Sequence, residues 1–290
     1  MAPVSIYRSS KGKDQLLKIY DKHMRNLNIQ YEDIYVPTRF GTTHIVNLGV
    51  KDSVPLICLH GGNSFTPDML KSDLSLLEKF NAFIVDTIGH PGKSDETQLS
   101  SNDLSYGYWL LDVINELQLD VINIYSGSFG AGIAIRLATV APKQINKLAL
   151  FIPSGIANGS FKDQIKLMIP YLRYKIRSTD QNMIRLSSSL MTRFDEERLE
   201  MLQSIFEHVK INPKMPRPAY DGELDDLKAP TIVVAASKDI LFPASRVIPR
   251  AKEIFPNLVY TEIIDSLHEP SEEIYTHIHE LAYNFFSQSI

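Results

Sequence analysis

Apolar side chains in this chain follow two rhythms that take turns. Short runs rich in Val, Ile and Leu, the length of a buried strand, alternate with longer stretches in which apolar residues recur every three or four positions. The first pattern predicts strands over residues 30–36 and 43–47, joined by a turn at Phe40-Gly41, further strands over 55–59, 82–86 and 147–152, one that enters a turn from Ile124, and two more in the stretches 231–239 and 260–268. The second predicts helices over 15–27, 67–80, 104–117 (which holds the single tryptophan, Trp109), 131–140 and 272–286. Strands that are apolar throughout, separated by amphipathic helices, imply an α/β chain with helices on both faces of a mostly parallel sheet. The alternation stops between residues 155 and 227, where helical spacing continues, no strand-like run occurs, and the segment closes on Asn212-Pro213-Lys214-Met215-Pro216-Arg217-Pro218. Residues 1–154 and 228–290 are therefore expected to form one core domain, and 155–227 an inserted helical cap.

Chemistry concentrates where strands end. In Ile124-Tyr125-Ser126-Gly127-Ser128-Phe129-Gly130 an apolar strand meets a helix through serines. A nucleophile mounted on such a strained turn needs small residues two positions before and after it. Ser128 has Ser126 and Gly130 there, whereas Ser126 would have the branched Ile124 on one side, so Ser128 is the candidate. Upstream, Pro55-Leu56-Ile57-Cys58-Leu59-His60-Gly61-Gly62-Asn63 runs a buried strand into glycines whose backbone N–H groups could form half of an oxyanion hole. Downstream, one buried strand runs on to Asp239 and another to His268.

On these residues the chain resembles the α/β-hydrolase fold family, whose chain order of nucleophile, acid and histidine is Ser128, Asp239, His268 here. The loop Asp86-Thr87-Ile88-Gly89-His90-Pro91-Gly92-Lys93-Ser94 also resembles a family segment, and the opening Val36-Pro37-Thr38-Arg39-Phe40-Gly41 with its leading helix is similar to the bacterial carboxylesterase branch. Leu267 stands where a glycine usually precedes the histidine, and Ala131 where many members have a second glycine; neither change removes a reacting group.

The resemblance implies an α/β-hydrolase fold and a serine hydrolase acting on a small to medium carboxylic ester or lactone. Ser128 would attack the carbonyl, His268 would take and return the proton, and Asp239 would orient the imidazole. The backbone N–H groups of Phe129 and Gly62 would hold the oxyanion. The scheme involves no metal or organic cofactor, and the partner is a small molecule. Two alternatives stay open: another acyl-type hydrolase acting on a carbon–carbon bond or thioester, or a slow-turnover ligand-binding member of the fold. Asp86 precedes the nucleophile and is read as structural. Asp265 and Glu269 lie too near His268 in sequence to be the obvious orienting acid. His60 is expected to shape the oxyanion turn, His90 to line the pocket or cap a loop, and His277 and His279 to be surface or packing residues.

Composition agrees with this picture. A chain of 290 residues with 44% hydrophobic content can bury a large core. A net charge of −4 leaves no basic footprint for nucleic acid. The lone Cys58 sits in an apolar strand, so it can form no intrachain disulfide and belongs to the core. The first eight residues lack the apolar core of a signal peptide, and no run reaches the roughly 18 apolar residues of a membrane span, so a soluble cytoplasmic protein with no stable membrane insertion is expected. Five of the eight methionines fall in the insertion (Met168, Met183, Met191, Met201 and Met215), at spacings that favour packing between helices over a substrate-facing surface. Arg173, Lys175 and Arg177 read as a solvated helix face rather than an anion or membrane site.

Overall fold

The computed structural model describes residues 5–192 and 194–288, so the first four residues of the leader reading and residue 193 of the expected cap lie outside the described residues. The chain runs α1 (Ser10–Asn26), β1 (Glu32–Thr38), β2 (Gly41–Gly49), β3 (Leu56–Leu59), α2 (Thr66–Leu77), β4 (Asn81–Val85), α3 (Ser105–Glu116), β5 (Ile122–Gly127), α4 (Ser128–Val140) and β6 (Ile145–Pro153). It continues through α5 (Phe161–Ile176), α6 (Asp180–Ser187), α7 (Glu196–His208), β7 (Thr231–Ala236), α8 (Ala244–Ile254), β8 (Leu258–Ile264) and α9 (Glu272–Ser287). The strands form a single eight-stranded sheet in the order β1-β2-β4-β3-β5-β6-β7-β8. Only the β1–β2 and β2–β4 pairs are antiparallel.

Period-two alternation divides the core into two layers. On β3, Ile57 and Leu59 join Trp109, Ile133 and Phe242 under α3, α4 and α8, while Leu56 and Cys58 join Leu70, Tyr125 and Ile278 under α2 and α9. Trp109 is fully buried and its indole N–H donates to Thr43 Oγ1 at 2.8 Å, which leaves no polar atom of the ring unsatisfied.

Most elements lie within three residues of the sequence expectation; two differ more. Helix α1 starts five residues earlier than its apolar period because Ser9 caps it, its hydroxyl accepting from Gly12 N–H at 3.0 Å. Helix α8, between Asp239 and the last strand, was not expected; Pro249 lies inside it, yet Ala244, Val247, Ile248, Ala251 and Ile254 are buried at helical spacing. The stretch between β6 and β7 contributes no strand to the sheet among the described residues, only an isolated bridge from Val209 to Tyr7. Among the described residues no helix is long and apolar enough to cross a membrane.

Candidate active site

Parallel strands bring the ends of β3, β5, β7 and β8 to one edge of the sheet, where loop residues far apart in sequence meet. At the end of β5 the chain turns directly into α4, and Ser128 at the junction takes φ +49°, a left-handed conformation that non-glycine residues rarely adopt. Three groups hold this turn. Ser154, fully buried just past β6, donates from its N–H at 3.1 Å and from its hydroxyl at 2.8 Å, both to Ser128 O. The third is Gly130: a Cβ there would lie 2.4 Å from Leu59 O, so its smallness is demanded by the close approach of α4 to β3. That is a different reason from mutual crowding with Ser126, the one that the sequence pattern suggests.

His268 Nε2 lies 2.9 Å from Ser128 Oγ, and its Nδ1 lies 2.9 Å from Asp239 Oδ2. The other Asp239 oxygen accepts from Leu241 N–H at 2.7 Å, which fixes a carboxylate that is 3% exposed. An acid on Nδ1 makes that nitrogen the donor and leaves Nε2 as the acceptor facing the serine hydroxyl. Burial opposes protonation of His268, but the charge and hydrogen bond of Asp239, with the charge of Glu269 added, outweigh it and raise the pKa above the ordinary value. The arrangement can take a proton from Ser128 and stabilise the imidazolium that results.

Gly62 and Phe129 are neighbours on the floor beside Ser128: a Cβ on Gly62 would sit 3.2 Å from Phe129 Cβ. Phe129 is the second residue of α4, so its N–H has no acceptor within the helix, and among the described residues Gly62 N–H meets none either. His60 braces this turn. Its Nδ1 lies 2.8 Å from Gly61 O and must donate, while its Nε2 accepts from Thr87 N–H at 3.2 Å, so the ring is locked in one neutral tautomer. Burial lowers its pKa and pushes that of His90 down to about 3. His90 does not reach the cavity; it packs its ring 4.5 Å from that of Phe129.

The remaining candidates lie elsewhere. Asp86 is fully buried on His44 Nδ1 at 2.8 Å and Thr66 Oγ1 at 2.7 Å. Asp265 pairs with Lys238 on the surface. His277 is exposed on Glu262, and His279 reaches Asp73 at 2.8 Å. Cys58 is fully buried, and burial drives its thiol pKa up.

A cavity of about 770 Å³ opens over Ser128 and His268. Its roof comes from α5 to α7 and the proline-rich segment: Met168, Met191, Met201 and Met215 line it, joined by Met69 of α2. Met183 packs against Tyr174 and Leu186, away from the cavity; Met201, 3% exposed, and Met215 touch the cavity while packing on the core as the spacing favoured, and Met168 and Met191 line it without belonging to a core cluster.

One polar cluster in the wall went unread in the sequence. Arg198 of α7, 7% exposed, donates to Glu269 Oε1 at 2.7 Å and to Asp68 Oδ1 at 3.1 Å. Glu269 also accepts from Tyr275 OH at 2.9 Å, and its N–H donates to Leu190 O at 2.8 Å. The residue after His268 is thus tied twice to the stretch between β6 and β7. Nothing in the local pattern around Arg198 marks it, because its partners lie 71 and 130 residues away.

No protein-family model matches the chain. It is 21% identical over 288 residues to the uncharacterized carboxylesterase nap of Bacillus subtilis (strain 168), covering 94% of each chain. It is 29% identical over 135 residues to carboxylesterase YbfK of the same organism, covering 47% of this chain and 46% of the relative. The crystal structure of naproxen esterase from Bacillus subtilis superposes with a TM-score of 0.82 at 20% identity, covering 97% of this chain and all of that one. With this sheet, this site at its edge and similarity along nearly the whole chain, the protein is a hydrolase of the α/β-hydrolase fold, of the type seen in the carboxylesterases that it resembles.

Proposed function

We propose that this hydrolase cleaves carboxylic esters or lactones of small to medium size through an acyl-enzyme on Ser128. The observation that carries the reading is the hydrogen-bonded chain from Ser128 Oγ through His268 to Asp239 at the floor of a cavity lined mostly by apolar side chains. Ser128 Oγ attacks the ester carbonyl as His268 takes its proton; the oxyanion collapses, the carbon–oxygen bond to the alcohol breaks, and His268 returns the proton to the departing oxygen. Water then repeats the sequence on the acyl-enzyme and releases the acid. Phe129 and Gly62 N–H groups hold the oxyanion, each such donor contributing roughly 2.7–4 kcal/mol to the transition state. Residues 155–227 act as a cap that covers the site and selects among acyl groups. The esterase names of the relatives support the substrate class.

The test is steady-state hydrolysis of esters and lactones of graded acyl length by the wild type, Ser128→Ala and Asp239→Asn. Fluorophosphonate labelling should fall on Ser128 alone, and Asp239→Asn should lower kcat by about 10⁴ through the wrong tautomer. Because the His268 pKa is raised and the base must be neutral, kcat/KM should decline with falling pH from a midpoint above 6.5. Labelling undiminished in Ser128→Ala would refute the proposal.

A further inference from the structure

Helix α5 turns one apolar stripe to solvent. Tyr174 is buried against Met183 and Leu186, whereas Ile165, Met168, Ile169, Leu172 and Ile176 are 47%, 53%, 59%, 51% and 87% exposed. At 3.6 residues per turn these five fall within an arc of about 100° centred opposite Tyr174. Arg173 and Lys175, both exposed, flank the arc on its two sides, and exposed Arg177 lies beyond Arg173. Among the described residues none of the three cations meets a carboxylate; Lys175 Nζ only stands 5.8 Å from the Tyr171 ring centre. Met168 and Tyr171 also line the cavity, so the helix that bears this stripe is a wall of the site.

We propose that the outer face of α5 docks on an anionic lipid–water interface. A helix lying in such an interface sinks its apolar stripe to the acyl boundary while flanking Lys and Arg stems bend back to the headgroups, and both parts of that geometry are present here. A second copy of the chain fits the face less well, since pairing two such stripes sets the exposed Arg173, Lys175 and Arg177 that flank one against those that flank the other. The net charge of −4 opposes approach to an acidic surface, so attraction must act locally, within a screening length of about 8 Å at physiological salt. Docking needs no turnover and therefore stands apart from the proposed ester chemistry. Its consequence, if that chemistry holds, is that an amphiphilic ester embedded in the interface is presented at the cavity wall.

The test is co-sedimentation of the full chain with extruded vesicles of phosphatidylglycerol and phosphatidylcholine, or of phosphatidylcholine alone. Two paired variants are compared, Ile169→Gln with Leu172→Gln and Arg173→Gln with Lys175→Gln; none of the four positions lines the cavity. The wild type should partition onto the acidic vesicles and release in 1 M salt. Removing the two cations should weaken partitioning about 25-fold, and polarising the stripe should weaken it about tenfold or more. Circular dichroism and the thermal midpoint establish that the variants fold. Folded wild type that ignores acidic vesicles at millimolar lipid overturns the proposal, as does binding that survives both pairs. A lipid-free dimer dissolved by the stripe variant, without vesicle binding, would assign the face to self-association instead.

Discussion

Replacing Arg198 by Met should do two separable things, one to stability and one to the titration of His268. The methionine keeps the stem that covers α2 but deletes the guanidinium held by Glu269 at 2.7 Å and Asp68 at 3.1 Å. Removing one partner of a buried ion pair typically costs 3–5 kcal/mol because the other charge stays behind uncompensated. Asp68 and Glu269 line the cavity and are 18% and 22% exposed, and α7 keeps its other ties, Lys71 to Asp195 at 3.0 Å and Lys22 to Glu200 at 2.9 Å. A loss at or just below the bottom of that range, about 2–3 kcal/mol, is therefore expected. Glu269 already adds to the raised pKa of His268, and without Arg198 its charge is no longer offset. The imidazolium gains, so the acidic limb of kcat/KM should move further up in pH. Urea unfolding of Arg198→Met, Glu269→Gln and the double variant gives the coupling energy, and pH–rate profiles give the limb. The double variant should recover part of the stability and return the limb toward the wild type. A stability loss below about 0.5 kcal/mol together with an unmoved limb would refute the reasoning.

Three further outcomes follow from other parts of the molecule. The buried relay in which His44 reaches Asp86 at 2.8 Å and Asp33 at 2.7 Å raises the His44 pKa, since the two carboxylates outweigh burial, and lowers that of Asp86, since His44 does the same there. The His44 contribution is complete below about pH 6.5 and lost as pH rises through the raised value; the Asp86 contribution is present above about pH 3.8 and lost as pH falls through the lowered one. Urea midpoints across about pH 2 to 9 should show both limbs, and His44→Gln should flatten the alkaline one. Gly130→Ala places a methyl 2.4 Å from a backbone oxygen that cannot rotate away, so α4 must shift from β3, at a cost of about 1–3 kcal/mol; fluorophosphonate labelling should slow sharply, and unchanged labelling would show that the elbow tolerates the shift. Met191→Ala enlarges the cavity roof and should change the preferred acyl length more than the rate on acetate; equal loss on acetate and long-chain esters in a folded variant would argue that this segment supports the chemistry itself.

Much of this molecule is legible one segment at a time. A strand that is apolar throughout and breaks into Gly127-Ser128-Phe129-Gly130 specifies its own turn, because the strand, the helix and the smallness of the junction are properties of neighbouring residues. The same holds for β3 running into Gly61-Gly62, for the strands that end near Asp239 and His268, and for the loss of alternation after β6. Helix α8 went unread; Pro249, its sixth residue, removes the bond that an N–H there would give to Ser245 O, and burial of Val247, Ile248, Ala251 and Ile254 on one face holds the helix regardless.

Which distant groups meet was decided only by the tertiary structure. Sequence spacing cannot tell whether Asp239, Asp86, Asp265 or Glu269 reaches an imidazole; the parallel order of β5, β6, β7 and β8 brings Asp239 to His268 and leaves Asp86 on His44, on the far side of β3. The Ser154 clamp on the elbow, the Arg198 tie between α7 and the histidine loop, and the two neutral buried histidines near Gly62 are products of side chains converging from separate elements. The stretch between β6 and β7 shows the division most plainly. Helical period in residues 161–176 is a local property of the chain, but a period cannot say which face has a neighbour: packing against α6 and α7 buried Tyr174 and left Ile165, Ile169, Leu172 and Ile176 facing water. Local pattern determines which segments are strands and helices because it is set by backbone geometry and nearest neighbours, while partner choice is set by burial and charge across the whole fold, which no single stretch contains.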